Sequence, residues 1–283
     1  MRNEALKSLE ERRLPVKGDE NYEITDLEAE FTPDYGVNIN RYDFGADTAN
    51  AFRCDVPNMS TWLYFSFNDT YYSSRTASIS LPEGVIIGSF NQIAKQHQEL
   101  MSKYYGKLAP KSNAAVALNT LLAQDGLFIY IPKNITLEKP LQLVNILNAT
   151  VPVMVNRRIL IVLEENAHAK MLVCDHTQNQ EIDFLNTQVI EVFAGKNSSF
   201  DLYDLEESGE RTHRVSSLWA KQEEGSNLLV NGITLVNGHT RNDYSIEVAG
   251  EHCETHLYGM AIAGNKQHID NHTEIMHNAG HCS

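Results

Sequence analysis

Apolar residues change their spacing near the middle of the chain. Before residue 125 they recur at helical intervals in three places. Glu4 to about Arg13 carries Leu6 and Leu9 among charges and stops before Pro15. Ser89 is placed to cap a second helix, in which Phe90, Ile93, His97, Leu100, Met101 and Tyr104 share one face. Ser112 or Asn113 is placed to cap a third. Its stripe is Ala114, Ala117, Leu118, Leu121 and Leu122, with Gly126 as the stop. Between the first two helices, Trp62–Phe67 and Gly84–Ile87 read as strands whose pairing the pattern does not fix.

From Leu127 to Ser283 the texture is different. Short apolar runs alternate with Asn, Gly, Asp and Lys turns: FIYIP (128–132), RILIVL (158–163), QVIEVF (188–193), LLVNGITLV (228–236) and HLYGMAIAG (256–264). Such a stretch is a sandwich, a barrel or a solenoid. A weak repeat of strand, turn and strand has turns beginning near Asn134, Asn166, Asn197, Gly225 and Glu251, spaced 32, 31, 28 and 26 residues apart. A period in this range suits a solenoid in which each coil is one unit. Turn signals about every 8–12 residues, the mark of a hairpin sandwich, are present too. Pattern alone leaves both open, with the solenoid ahead. The reading divides the chain into a helical or mixed region, 1–125, and a β region, 126–283. Inside a solenoid, Ile129 with Ile131 and Ile159 with Ile161 are candidate inward pairs. The N-terminal helices are candidates to cap the first coil.

Composition narrows the function classes. The 283 residues are 42% hydrophobic and 21% charged, ordinary values for a globular protein. A formal net charge of −14 repels phosphate backbones and argues against nucleic-acid binding. The charged N-terminus has no signal-peptide core, and no apolar run is long enough to cross a bilayer, so the expected compartment is the cytoplasm. There Cys54, Cys174, Cys253 and Cys282 are expected as reduced thiols; they form no CxxC pair.

Three stretches carry a family resemblance. GLFIYIPKNITLEKPLQLVNI (126–146) resembles the opening coil of the SufB/SufD family, with Gly126, Phe128, Tyr130, Pro132, Ile135, Leu137, Pro140 and Leu141 at matching positions. RRLPVKGDENYEITDLEAEF (12–31) resembles the family's N-terminal segment, although Tyr22 and Ile24 replace its usual Trp and Tyr. IDNHTEIMHNAGHCS (269–283) resembles its late DNHT stretch, and His272 and His277 fall on family positions. The N-terminal segment is more similar to the SufD branch. The resemblance implies a right-handed parallel β-helix behind an N-terminal helical region. It implies a non-enzymatic scaffold subunit of the SUF iron–sulfur cluster assembly complex, paired with SufB and with the SufC ATPase, the cluster being built on the whole complex. The family's later coils, its KCSHGAT string and its helical tail are not in the sequence, so the resemblance implies a C-terminally truncated form. The last strand, near Tyr258–Ala263, is then expected to expose apolar side chains and to favour homodimers or aggregation.

Two rival chemistries stay in view. Seven of the eleven histidines lie between His239 and His281, and imidazole with thiolate suits iron, zinc or copper. Yet no four-ligand spacing emerges. On a strand, His252, Glu254 and His256 would share a face opposite Cys253. The metal candidates are His272, His277, His281 and Cys282, against hydrogen-bonded or solvated histidines. Cys174 and His176 would also share a strand face, which suits an activated thiol or a buried small hydrophobe. A carbohydrate-active β-helix enzyme would use Asp201, Asp204, Glu206 and Glu207 with Arg211 or Arg214. A solvated turn explains the same residues. No phosphate loop, GxSxG or HExxH occurs. No resident cofactor is expected.

Overall fold

The computed structural model describes residues 1–37, 60–72, 81–264 and 266–283; Cys54 lies outside them. In the first 125 residues the elements are α1 (Arg2–Glu11), α2 (Leu27–Phe31), β1 (Gly36–Val37), β2 (Trp62–Phe67), β3 (Thr70–Tyr72), β4 (Ile86–Ser89), α3 (Phe90–Gln96), α4 (Gln98–Tyr104) and α5 (Ala114–Leu122). Asp26, Ser89 and Asn113 cap α2, α3 and α5 by accepting from the backbone N–H of Ala29, Gln92 and Val116.

Two helices depart from the pattern. The single helix expected after Ser89 is broken at His97, whose non-helical backbone (φ −138°, ψ 46°) separates α3 from α4, and the imidazole is exposed. The stripe expected on α5 is shifted. Its buried residues are Ala115, Val116, Ala117, Asn119 and Thr120. The polar pair is drawn inward because Asn119 Nδ2 donates to the Arg157 carbonyl (3.0 Å) and Thr120 Oγ1 accepts from Arg158 (2.7 Å). α5 ends at Leu122, ahead of Gly126.

After Gly126 the strands run parallel to one another in two sheets. β5 (Leu127–Ile131), β7 (Val153–Leu163), β9 (Phe184–Ala194), β11 (Thr212–Gln222), β13 (His239–Val248) and β15 (His268–His277) stack in the first. β6 (Leu141–Leu147), β8 (His168–Thr177), β10 (Ser199–Glu207), β12 (Asn227–Val236) and β14 (Glu254–Ala261) stack in the second. Consecutive strands therefore alternate between sheets, and the architecture is a parallel β-solenoid, as the resemblance implied. Runs such as LQLVNIL on β6 and RILIVL on β7 are nearly continuous in apolar residues because those strands are covered on both faces.

One corner of the coil is marked in the sequence. Asn134, Asn166, Asn197, Gly225, His252 and His281 all adopt positive φ, between 54° and 67°. Asn tolerates this left-handed backbone better than most residues, and Gly does so without steric cost. The corners stack: the N–H of Asn134, Asn166, Asn197 and Gly225 donates to the carbonyl of Glu165, Lys196, Glu224 and Glu251 in the next coil. The fifth turn is thus at His252, one residue beyond the expected Glu251. Gly225 has a second reason to lack a side chain, since a Cβ there would meet Asn197 Oδ1 at 2.3 Å.

The first coil is closed by strands rather than by the expected helical cap. β2 adds in parallel to β6, β3 adds antiparallel to β2, and β4 adds antiparallel to β5. The second strand of that region is displaced from the expected Gly84–Ile87 to Ile86–Ser89. β1 pairs with β7. The helices instead cover the outer face of the first sheet, where Phe90, Ile93 and Tyr104 pack on Phe128, Leu160 and Val162. Arg158 and Glu191 hold this layer in place. They pair at 3.1 Å with almost no exposure, and Glu191 also accepts from the backbone N–H of Gly106, Leu108 and Ala109.

The interior is layered. Next to the Asn corner it is hydrocarbon: Ile129, Ile131, Ile159, Ile161, Met171, Val173, Val192, Leu202 and Ile246 belong to one cluster, which includes both expected inward pairs. Farther along the same strands the inward positions become polar. Arg157 meets Asp175 at 2.9 Å, and Arg214 meets Asp204 at 2.5 Å and Asp175 at 3.4 Å. Another apolar cluster, with Leu147, Val153, Val155 and Phe184, occupies the opposite strand ends. At the far coils, β14 and β15 are the outermost strands of their sheets, and Tyr258, Met260 and Ile262 are exposed by half or more. No helix among the described residues is long and apolar enough to cross a membrane.

Candidate functional site

Strand register brings three histidines together that are far apart in sequence. His213 pairs with His239 across β11 and β13, and His239 pairs with His268 across β13 and β15. The rings form a ladder on the outer face, with centroids 4.7 Å and then 5.8 Å apart. Glu30, on α2, closes the recess. One carboxylate oxygen contacts His213 Nδ1, and the other lies 2.9 Å from His239 Nδ1. Burial pushes the Glu30 carboxyl up, but hydrogen bonds and charge from the two imidazoles outweigh it and hold the group below the usual carboxylate range.

Thr25 fixes the third ring. Its hydroxyl donates to Asp270 Oδ2 at 2.6 Å and lies 3.2 Å from His268 Nε2. A hydroxyl has one proton to give, so with that proton on Asp270 the Thr25 oxygen accepts from His268 Nε2–H. The lone pair of a neutral His268 is then on Nδ1. Arg241 completes the surroundings, bound to Asp243 (2.6 Å) and Asp270 (2.5 Å) and stacked on the Tyr22 ring at 4.6 Å. The segment from Tyr22 to Glu30 is thereby strapped across β11, β13 and β15.

The residues singled out from sequence do not share one site. His272, on β15, lies 3.5 Å from Asp243 on β13, and His277 ends β15. His281 is at the corner, stacked on His252 with centroids 5.6 Å apart. Cys282 is half-buried, its thiol donating to the Gly250 carbonyl. His252 is not on a strand with Glu254 and His256, as expected, because it occupies the left-handed corner. Cys253 follows that corner and is buried against backbone carbonyls. Cys174 and His176 do share a face of β8, with Cys174 fully buried and His176 3.7 Å from Glu207. Cys253 and Cys282 are free thiols.

The carboxylates weighed for a hydrolase are on a strand, not in a solvated turn. Alternation along β10 sends Asp204 and Glu206 inward to Arg214 and sends Asp201 outward to Lys170 (2.8 Å). Arg211 faces out as well and pairs with Asp183. Acids and cations are therefore divided between the interior and the surface. Burial raises the Glu206 carboxyl to about 7, against the pull of Arg214 and of hydrogen bonds from Thr240 and Ser208. Sequence reasoning passed over Glu30, Thr25, His213 and Asp270. One signal was available: His213, His239 and His268 are 26 and 29 residues apart, close to the coil period.

Comparison with known proteins assigns this architecture. Residues 1–143 match the SufBD protein N-terminal region, and residues 145–283 match the SufBD core domain of the SUF system for FeS cluster assembly. The chain belongs to the SufBD family. A SufBD family protein of Synechocystis sp. is 24% identical over 281 residues, covering 95% of this chain and 60% of that relative. A chloroplastic SufBD family protein of Arabidopsis thaliana is 25% identical over 69% of this chain and 36% of its own length. The iron–sulfur cluster assembly protein SufD of Bacillus subtilis is 26% identical over 51% of this chain and 33% of its own length. This SufBD chain thus spans between one third and three fifths of the length of these relatives. The two family segments meet inside β6, where β2 from the N-terminal region joins the core sheet.

Proposed function

We propose that the chain is a non-catalytic scaffold subunit of SUF iron–sulfur cluster assembly, of the SufD type, working in the cytoplasm beside a SufB-type partner and a SufC-type ATPase. The observation that carries this reading is the match of both SufBD segments, in order along the chain, with the core segment on the parallel solenoid. The division of Asp201, Asp204, Glu206 and Arg211 between interior and surface weighs against the carbohydrate-active alternative, which needs them on one accessible face.

Co-expression of the chain with SufB- and SufC-type proteins from the same genome tests the proposal. A complex that survives affinity and size-exclusion steps, with no ATP hydrolysis or glycoside turnover by the chain alone, is expected. Quantitative elution of the chain as a free species, or turnover of acidic sugars by it, would remove the scaffold reading.

A further inference from the structure

We propose that Glu30, His213 and His239 form a binding site for one first-row divalent transition metal ion, zinc or ferrous iron, which joins the N-terminal strap to the solenoid. The three donor atoms all lie within 4.8 Å of one another. Two imidazoles and one carboxylate are a donor set that both ions accept while keeping coordination positions open. Hard cations such as magnesium favour an all-oxygen shell, which this recess does not offer.

Geometry separates this trio from a chance surface cluster. Glu30 is largely buried, with 14% of its side chain exposed, and His213 retains 29%. His213 and His239 sit on adjacent strands in register, so the sheet fixes their separation. Their Nδ1 atoms converge on the two oxygens of one carboxylate, and a cation in that space would replace two N–H···O contacts with three metal bonds. His268 lines the same recess, with its Nε2 3.2 Å from the Thr25 hydroxyl, and stands outside the trio. The inference stands on these side chains and does not rest on the scaffold reading.

Calorimetric titration of the metal-free full chain with Zn2+, repeated anaerobically with Fe2+, tests the site, with Mg2+ as the hard-cation control. Wild type is expected to bind one more equivalent of Zn2+ than H213A/H239A, or to bind that equivalent roughly 100-fold more tightly, the upper end of what an outer-shell change alone costs. Glu30→Gln, nearly isosteric, is the second variant and should lose the same equivalent while keeping the apo fold by circular dichroism. Zn2+ should also raise the melting temperature of wild type and of the His277→Ala control, but not of Glu30→Gln. Equal stoichiometry and affinity in wild type and both site variants would show that the trio is a hydrogen-bonded clamp only. Absence of Zn2+ and Fe2+ binding to wild type would overturn the proposal equally.

Discussion

Glu206 offers the sharpest test of the layered interior. The carboxyl is fully buried, and burial raises it from 4.5 to about 7 in the folded chain. Between those values the folded chain holds a proton that the unfolded chain has released. The stability from this group is therefore complete below pH 4.5 and is lost as pH rises through about 7. At about 1.36 kcal/mol for each pH unit, the loss reaches roughly 3 kcal/mol in alkaline solution. Glu206→Gln mimics the protonated acid and can keep the contacts with Thr240, Ser208 and Thr234. The variant should match wild type at pH 4 and exceed it by roughly 3 kcal/mol at pH 8. Urea unfolding followed by tryptophan fluorescence reports it. Comparing the two proteins at each pH cancels the other titrating groups. Parallel pH–stability curves for variant and wild type would refute the argument, and so would a variant less stable at pH 8.

Three substitutions probe other layers. Ile161→Asp places a carboxylate in the hydrocarbon layer and should cost about 3–5 kcal/mol by urea midpoint, or abolish soluble expression. Gly225→Ala combines positive φ with a contact to Asn197 Oδ1 and should cost about 1–3 kcal/mol; adding Asn197→Gly should recover part of that loss in a double-mutant cycle. Glu191→Ala leaves the Arg158 guanidinium unpaired and three backbone N–H groups without their acceptor. A loss of about 3–5 kcal/mol is expected, with faster proteolysis between α4 and α5, and a wild-type digestion pattern would count against it.

Much of the solenoid could be read from the sequence because its determinants are local. Asn134, Asn166 and Asn197 mark the corner by their tolerance of left-handed backbone, and the inward Ile pairs follow from strand alternation. The interior ions were less legible. Asp204 and Glu206 look like a surface turn until β10 is known to lie between β8 and β12. The strapped histidine recess was hardest to see, since Glu30 and His213 are separated by 183 residues. The repeat could place His213 beside His239, but nothing in local spacing brings α2 to that ladder. The α5 stripe was misread for a related reason: Asn119 and Thr120 are buried by partners on β7 and β9, outside any helical period.

The strap also changes how the column should come apart. A pile of coils touching only nearest neighbours can unzip from either end, one layer at a time. Tyr22, Thr25 and Glu30 tether three successive layers to a single peptide, so those layers should open together. Amide exchange along β11, β13 and β15 should then show one common opening energy, and severing the tether with Thr25→Ala and Glu30→Ala should split it into a graded series that is weakest at β15.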